Sequence, residues 1–170
     1  FTIPILQQIY DKVGSGKGRR KLKALIVTPT RELAIQIEDN VKEYSKYTGI
    51  QSTVIFGGVS QGPQTNTLKR GIDILVATPG RLLDLIGQGY ISLKNVQYFV
   101  LDEADHMLDM GFIHGNRKVV AQLPPQAQRQ SLFFSATMPP AIQGFASFCL
   151  DNPVKIEIAR AKVSSTIKHA

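Results

Sequence analysis

The segment that most constrains the fold is residues 96–105, with the sequence VQYFVLDEAD. Its first six residues are almost continuously apolar, whereas a strand with one solvent-exposed face alternates apolar and polar side chains. The run therefore predicts a strand covered on both faces by helices, as in the parallel sheet of an α/β domain. Two adjacent carboxylates, Asp102 and Glu103, follow this strand directly.

Similar apolar runs recur along the chain, at 24–28, 52–56, 72–77, 131–134 and 154–158. Segments with helical periodicity separate them, so the sequence predicts an open parallel sheet with helices on both faces. In the helix predicted over 31–47, Glu38, Lys42 and Lys46 are expected to face solvent. The opposite stripe, expected to face the core, comprises Leu33, Ala34, Ile37, Val41 and Tyr44.

The sequence also predicts where two helices begin. In Thr78-Pro79 and Thr137-Met138-Pro139, a hydroxyl residue precedes a proline, which predicts threonine caps at two helix N-termini. Residues 1–12 fit a helix with no preceding sequence, so we expect the domain to be truncated there. Residues 159–170 are polar, lack periodicity and are predicted to be a linker or tail.

Composition narrows the class of protein. The chain has 170 residues, of which 43% are hydrophobic and 19% charged, which fits one globular domain and excludes a disordered chain. It contains neither the roughly 18 consecutive apolar residues of a membrane helix nor a signal-peptide pattern, so we expect a cytoplasmic protein. The single cysteine, Cys149, excludes a disulfide framework and is expected to be a buried small hydrophobe.

The formal charge of +7 is unevenly distributed. Residues 11–23 carry six basic side chains against one acidic, and 155–170 carry four against one. The remaining residues, 24–154, have ten basic and eleven acidic side chains. The two basic segments would attract a polyanion or would simply be solvated, and the sequence favours neither interpretation.

In an open parallel sheet, ligands bind beyond the carboxyl ends of the strands. Five successive predicted strand ends carry glycine, proline, hydroxyl or carboxylate groups, which predicts a continuous site along one edge. These segments are Pro29-Thr30-Arg31-Glu32, Gly57-Gly58, Thr78-Pro79-Gly80-Arg81, Asp102-Glu103-Ala104-Asp105 and Ser135-Ala136-Thr137.

Each segment suggests a chemistry and also has a plainer interpretation. Asp102 and Glu103 resemble a Walker B pair, in which one carboxylate holds Mg²⁺ and the other orients or deprotonates water. Such acidic pairs also occur as favourable charges at helix N-termini. The hydroxyls of Ser135 and Thr137 could reach Asp105, or Thr137 could simply cap a helix.

The other three segments share a different chemistry. Helix N-termini and glycine turns present backbone N–H groups to phosphates, with an arginine or a hydroxyl beside them. A row of such sites suits the backbone of a single nucleic-acid strand, although each segment alone is more often a cap or a turn.

In this order and spacing, the five segments resemble motifs Ia, GG, Ib, II and III of the DEAD-box RNA helicases. The resemblance extends from residue 1 to about 158 and implies the N-terminal RecA-like domain of an ATP-dependent enzyme that unwinds or remodels RNA. Residues 107–112, MLDMGF, and the tail further resemble the bacterial RhlE-like branch.

The resemblance assigns Asp102 to Mg²⁺ coordination and Glu103 to activation of the hydrolytic water. It assigns Asp105, Ser135 and Thr137 to coupling between the ATP and RNA sites. His106 stands where the family often has arginine, and no catalytic role is expected for it. RNA-backbone binding, without readout of base edges, is assigned to Pro29, Thr30, Arg31, Gly57, Gly58, Thr78, Pro79, Gly80 and Arg81.

Three parts of the family pattern are missing from the sequence, and the first is the Q motif, which reads adenine in the family. Residues 14–18, GSGKG, fail the phosphate-loop pattern, because Asp11 replaces its first glycine and Gly18 its final hydroxyl. The chain alone is therefore expected to lack ATP-cradling residues and ATPase activity. It also lacks the motifs of a second RecA-like domain, its expected partner. A nucleotide-independent RNA-binding module and a regulatory domain without turnover remain alternatives.

Overall fold

The computed structural model describes residues 21–47, 49–124, 130–149 and 157–158. The strands are β1 (Ala24–Val27), β2 (Ser52–Ile55), β3 (Ile74–Ala77), β4 (Tyr98–Leu101), β5 (Gln130–Ser135) and β6 (Glu157–Ile158). The helices are α1 (Arg31–Ser45), α2 (Gly62–Lys69), α3 (Pro79–Gly87), α4 (Ala104–Asp109), α5 (Ile113–Ala121) and α6 (Pro140–Cys149).

The described strands form one parallel sheet in the order β2-β3-β1-β4-β5-β6. Strand β1 lies between β3 and β4, with Val27 opposite Ala77 on one side and Leu101 on the other. Helices connect successive strands, as parallel pairing requires. The α/β fold predicted from the continuously apolar runs is confirmed.

The core has two layers, one on each face of the sheet. Alternate residues of a strand point to opposite faces, so β4 contributes Phe99 and Leu101 to one layer and Tyr98 and Val100 to the other. All four residues of β1, β3 and β4 are buried, which explains why these strands are apolar without interruption.

The expected orientation of α1 is wrong at two positions. Glu38 is buried and Tyr44 is 52% exposed, because the stripe of α1 that faces the sheet runs through Ala34, Glu38, Val41 and Ser45. Burial raises the pKa of the Glu38 carboxyl, opposed by the Lys42 ammonium 3.5 Å away. Hydrophobicity alone predicts neither position, since it assigns the Glu38 carboxylate to the surface and the Tyr44 ring to the core.

Other boundaries also differ from the prediction. The apolar run at 72–77 enters the sheet only at Ile74, whereas β5 extends from Gln130 to Ser135. The weakly amphipathic helices α2 and α5 were not predicted. Helix α6 begins at Pro140, so Thr137 is not its cap.

Several predictions concern residues outside the described part of the chain. These are the helix at 1–12, the basic loop at 14–18, the tail at 159–170 and the environment of the Cys149 side chain. Among the described residues, no helix combines the length and apolar character needed to cross a membrane.

Candidate functional site

The parallel sheet brings the predicted strand ends to one edge of the domain. Backbone hydrogen bonds continue past the strands: Asp102 N donates to Val27 O at 2.9 Å, and Thr28 N donates to Ala77 O at 3.0 Å. The segments after β1, β3 and β4 therefore leave the sheet side by side. Those after β2 and β5 flank them, because these strands are the outer neighbours of β3 and β4.

Asp102 follows β4 and is partly withdrawn from solvent. Its Oδ1 accepts a hydrogen bond from Glu103 N at 3.0 Å. Burial, together with the nearby carboxylate of Glu103, raises the pKa of Asp102 to about 6. A partly desolvated carboxylate beside a second carboxylate suits a divalent cation, because the charge of the cation would offset the repulsion between the two carboxylates.

Glu103 has a left-handed backbone, with φ 52° and ψ 51°, and is the one described non-glycine residue with positive φ. A residue held in this region costs roughly 1–3 kcal/mol, and such strain tends to concentrate at functional sites. The conformation turns the chain sharply between β4 and α4. It leaves the Glu103 side chain half-exposed, where its Oε1 lies 3.2 Å from Nδ1 of His106.

Asp105, Ser135 and Thr137 form one hydrogen-bond network between α4 and the end of β5. Thr137 donates from its backbone N and from Oγ1 to Asp105 Oδ2, at 3.1 and 3.0 Å. Asp105 N donates to Ser135 Oγ at 3.2 Å, and Ser135 Oγ donates to Thr137 O at 2.6 Å. The structure thus brings the three residues together, although the Ser135 hydroxyl bonds the backbone of Asp105.

The network also changes the pKa of the Asp105 carboxyl. Partial burial alone would raise the pKa of Asp105, but the hydrogen bonds that its carboxylate accepts from Thr137 and its neighbours outweigh burial and lower this pKa. Asp105 therefore stays ionised and keeps accepting both bonds from Thr137. The Thr137 hydroxyl joins two elements of the site and does not cap a helix.

The loop after β2, residues 56–59, is held between two arginines. Arg81 Nη2 donates to Val59 O at 2.7 Å, and the Arg31 guanidinium lies 5.8 Å from the centre of the Phe56 ring. Gly58 has φ +82°, a conformation that side-chain-bearing residues rarely adopt. The Gly57-Gly58 turn, Arg31 and Arg81 thus form a single cluster.

Gln64 belongs to this cluster and was missed from the sequence. It is 9% exposed; its Oε1 accepts from Arg81 Nη1 at 2.9 Å, and its Nε2 donates to Phe56 O at 3.1 Å. It lies in α2, whose sequence GPQTNTLK has little apolar periodicity. No signal in that segment distinguishes Gln64 from its exposed polar neighbours.

Two helix N-termini complete this side of the edge. The Thr30 hydroxyl caps α1 by accepting from Leu33 N at 3.2 Å, directly after the buried Pro29. Thr78 occupies the cap position of α3 without a side-chain hydrogen bond to the helix, and Pro79 and Gly80 form its first turn. Both helices therefore begin at this edge, and the first-turn N–H groups of a helix that lack an intrahelical partner can bind an anion.

Comparison with known proteins agrees with this arrangement. The family model of the DEAD/DEAH box helicases matches residues 1–145. The chain is 42% identical to DEAD-box ATP-dependent RNA helicase 52A of Oryza sativa subsp. japonica, over 98% of this chain and 30% of that protein. It is 48% identical to helicase 30 of the same plant, over 79% of this chain and 20% of that protein.

A fungal protein, ATP-dependent RNA helicase DBP2 of Gibberella zeae, is 42% identical over 83% of this chain and 25% of its own length. The chain thus spans between a fifth and a third of the length of these relatives.

Proposed function

The chain belongs to the DEAD/DEAH box helicase family, and we propose that residues 1–158 act as the N-terminal RecA-like domain of an ATP-dependent RNA helicase. In this proposal, residues 159–170 lead towards a second RecA-like domain. The observation that carries it is the shared sheet edge. The carboxylates after β4 lie along it together with the segments after β1, β2 and β3, to which we assign phosphate binding. Thr137 links the carboxylate segment to the end of β5.

Asp102 is the residue that would hold Mg²⁺ bound to ATP. Magnesium is commonly held by one or two protein carboxylates, with water and substrate phosphates as its other ligands. A partly desolvated carboxylate such as that of Asp102 fits this mode. When bound, the ion would neutralise charge on the transferred phosphoryl group.

Glu103 would orient the attacking water and accept its proton. Glu103 follows Asp102 directly and its side chain is half-exposed. Its left-handed backbone conformation differs from that of the helical residues of α4 that follow it. The two acids would therefore have different roles: Asp102, the more desolvated carboxylate, would bind the cation, and the half-exposed Glu103 would act on water.

RNA would be bound through its phosphates and sugars. The N-termini of α1 and α3 offer backbone N–H groups, and Arg31 and Arg81 lie beside the turn between them. These groups recognise the backbone and carry no information about bases, so binding should depend on salt more than on sequence.

The two sites would communicate through Asp105 and Thr137. Their hydrogen bonds link α4, which begins beside the catalytic carboxylates, to the segment that follows β5. A change in the position of Asp105 would therefore be transmitted to Thr137 and α6.

The test is a chimera in which this chain replaces the matching segment of helicase 52A. We expect RNA-stimulated ATP hydrolysis, and Glu103→Gln should lower it by about a hundredfold or more while preserving ATP binding. The matched control, Glu43→Gln on the exposed face of α1, should hydrolyse ATP normally.

If Glu103→Gln hydrolyses ATP like the parent chimera, the assigned role is wrong. RNA binding by a chimera that never hydrolyses ATP would instead favour a nucleotide-independent RNA-binding module. The cytoplasmic location predicted from the sequence is tested separately, by fractionating cells that express the tagged protein.

A further inference from the structure

The side chain beside the proposed catalytic glutamate is His106, one turn further along α4. Its Nδ1 lies 3.2 Å from Glu103 Oε1, and both side chains are 46% exposed. An ionised carboxylate can only accept hydrogen bonds, so Nδ1 must carry the proton in this contact. The imidazole therefore engages one oxygen of Glu103 and leaves Oε2 available.

We propose that His106 is a positioning residue for Glu103: its Nδ1–H fixes the carboxylate so that the second oxygen faces the attacking water. This inference rests on the proposed role of Glu103 in hydrolysis. It assigns His106 a task that the sequence analysis did not expect.

Three features of the structure support this role. Glu103 is half-exposed, and among the described residues His106 is the one side chain that forms a hydrogen bond or ion pair with its carboxylate. The His106 backbone is fixed in turn, because its N donates to Asp105 Oδ1 at 3.0 Å. A long glutamate side chain without such a partner would sample several rotamers, which would lower the fraction of time spent in the productive geometry.

Asn and Gln substitutions separate positioning from mere packing. Asparagine places its amide nitrogen near the position of Nδ1, whereas glutamine places it near Nε2. In the chimera, His106→Gln and His106→Phe should lower kcat for RNA-stimulated ATP hydrolysis by about tenfold or more. His106→Asn should stay within about twofold of the parent, and KM for ATP should be almost unchanged in all three variants.

The contact itself can be measured without hydrolysis. In ¹⁵N NMR spectra of the 170-residue chain at pH 8, Nδ1 of His106 should carry the proton. Glu103→Ala should shift that population towards Nε2, whereas Glu43→Ala should leave it unchanged. A ring protonated at Nε2 in the parent chain would overturn the proposal.

The activity data distinguish this proposal from the proposed function. If Glu103→Gln loses hydrolysis while His106→Phe and His106→Gln retain it, His106 does not position Glu103 and the proposed function stands. Equal losses in His106→Asn and His106→Phe would likewise exclude positioning through Nδ1. If Glu103→Gln retains hydrolysis, the proposed function fails and this inference fails with it.

Discussion

The hydroxyl of Thr137 lies 3.0 Å from Asp105 Oδ2, although 32 residues separate the two in the sequence. The parallel pairing of β4 with β5 makes this contact possible, because it places the segments after both strands at the same edge. The contact joins the proposed catalytic carboxylates to α6. Its consequences can be tested in the chimera.

Removing both hydroxyls of the network should uncouple hydrolysis from unwinding. In the double variant Ser135→Ala, Thr137→Ala, each lost hydrogen bond costs roughly 0.5–1.5 kcal/mol. This cost is comparable to the free-energy difference between open and closed arrangements of the two domains. Asp102 and Glu103 stay in place, so we expect ATP hydrolysis within a few-fold of the parent and strongly reduced duplex unwinding, both measured with the same RNA duplex. Thr137→Ser, which keeps a hydroxyl, is the control. A collapse of hydrolysis with unchanged unwinding per ATP would instead place the hydroxyls in the chemical step.

Asp102→Asn should stabilise the chain at neutral pH in magnesium-free buffer. Because the folded state raises the pKa of Asp102 from 3.8 to about 6, ionising the group opposes folding, and stability falls as pH rises through this range. The shift corresponds to about 3 kcal/mol at most, and asparagine can still accept the bond from Glu103 N. Urea unfolding should show the variant more stable at pH 7.5, with a smaller difference at pH 4.5. A difference independent of pH would exclude ionisation as its cause.

Magnesium should reverse this difference if Asp102 is a metal ligand. Added Mg²⁺ binds the folded parent chain and raises its stability, but it should have a much smaller effect on Asp102→Asn. Equal stabilisation of both chains would locate the bound ion elsewhere.

Gln64 and Arg81 should act as one unit in RNA binding. Arg81 donates hydrogen bonds to Val59 O and to the Gln64 side chain. Gln64→Leu removes the hydrogen bond to Arg81 and also the one that Gln64 donates to Phe56 O. We expect Gln64→Leu and Arg81→Ala each to weaken binding of single-stranded RNA several-fold, with similar losses for unrelated sequences. The double variant should lose little more than either single variant, because the residues share the same contacts.

Gln61→Leu is the matched control, since the Gln61 side chain is hydrogen-bonded to Gln88, whereas Arg81 donates to Gln64. Fluorescence anisotropy at several salt concentrations measures these affinities. Fully additive losses would mean that Gln64 does not act through Arg81, and a strong base preference abolished by Arg81→Ala would indicate base readout.

Asn116→Leu should stabilise the fold. Asn116 is 1% exposed; its Nδ2 donates to the weak acceptor Met107 Sδ at 3.1 Å, and its Oδ1 has no hydrogen-bond partner among the described residues. Removing a buried amide with an unsatisfied oxygen should raise the free energy of unfolding by about 1–2 kcal/mol. The control Asn40→Leu, on the exposed face of α1, should change it by less than about 0.5 kcal/mol. Destabilisation by Asn116→Leu in urea unfolding would show that the amide is satisfied in solution.

The sequence alone predicted the parallel α/β sheet, because strands buried on both faces must be apolar at every position, as β1, β3 and β4 are. It also placed Asp102, Asp105 and Thr137 at one edge, since parallel strands end on the same side. The assigned roles of these residues in hydrolysis and coupling remain predictions.

Tertiary structure decided what each side chain contacts. Glu38 is buried and Tyr44 exposed because the rotation of α1 against the sheet is set by packing as a whole, and average hydrophobicity does not encode it. Gln64 meets Arg81 through a contact between segments distant in the chain, which the sequence did not indicate. For Thr137 the sequence left two alternatives, a bond to Asp105 or a helix cap, and the packing selects the bond to Asp105. Such contacts depend on the relative placement of whole elements, whereas local sequence patterns record only which face each element buries.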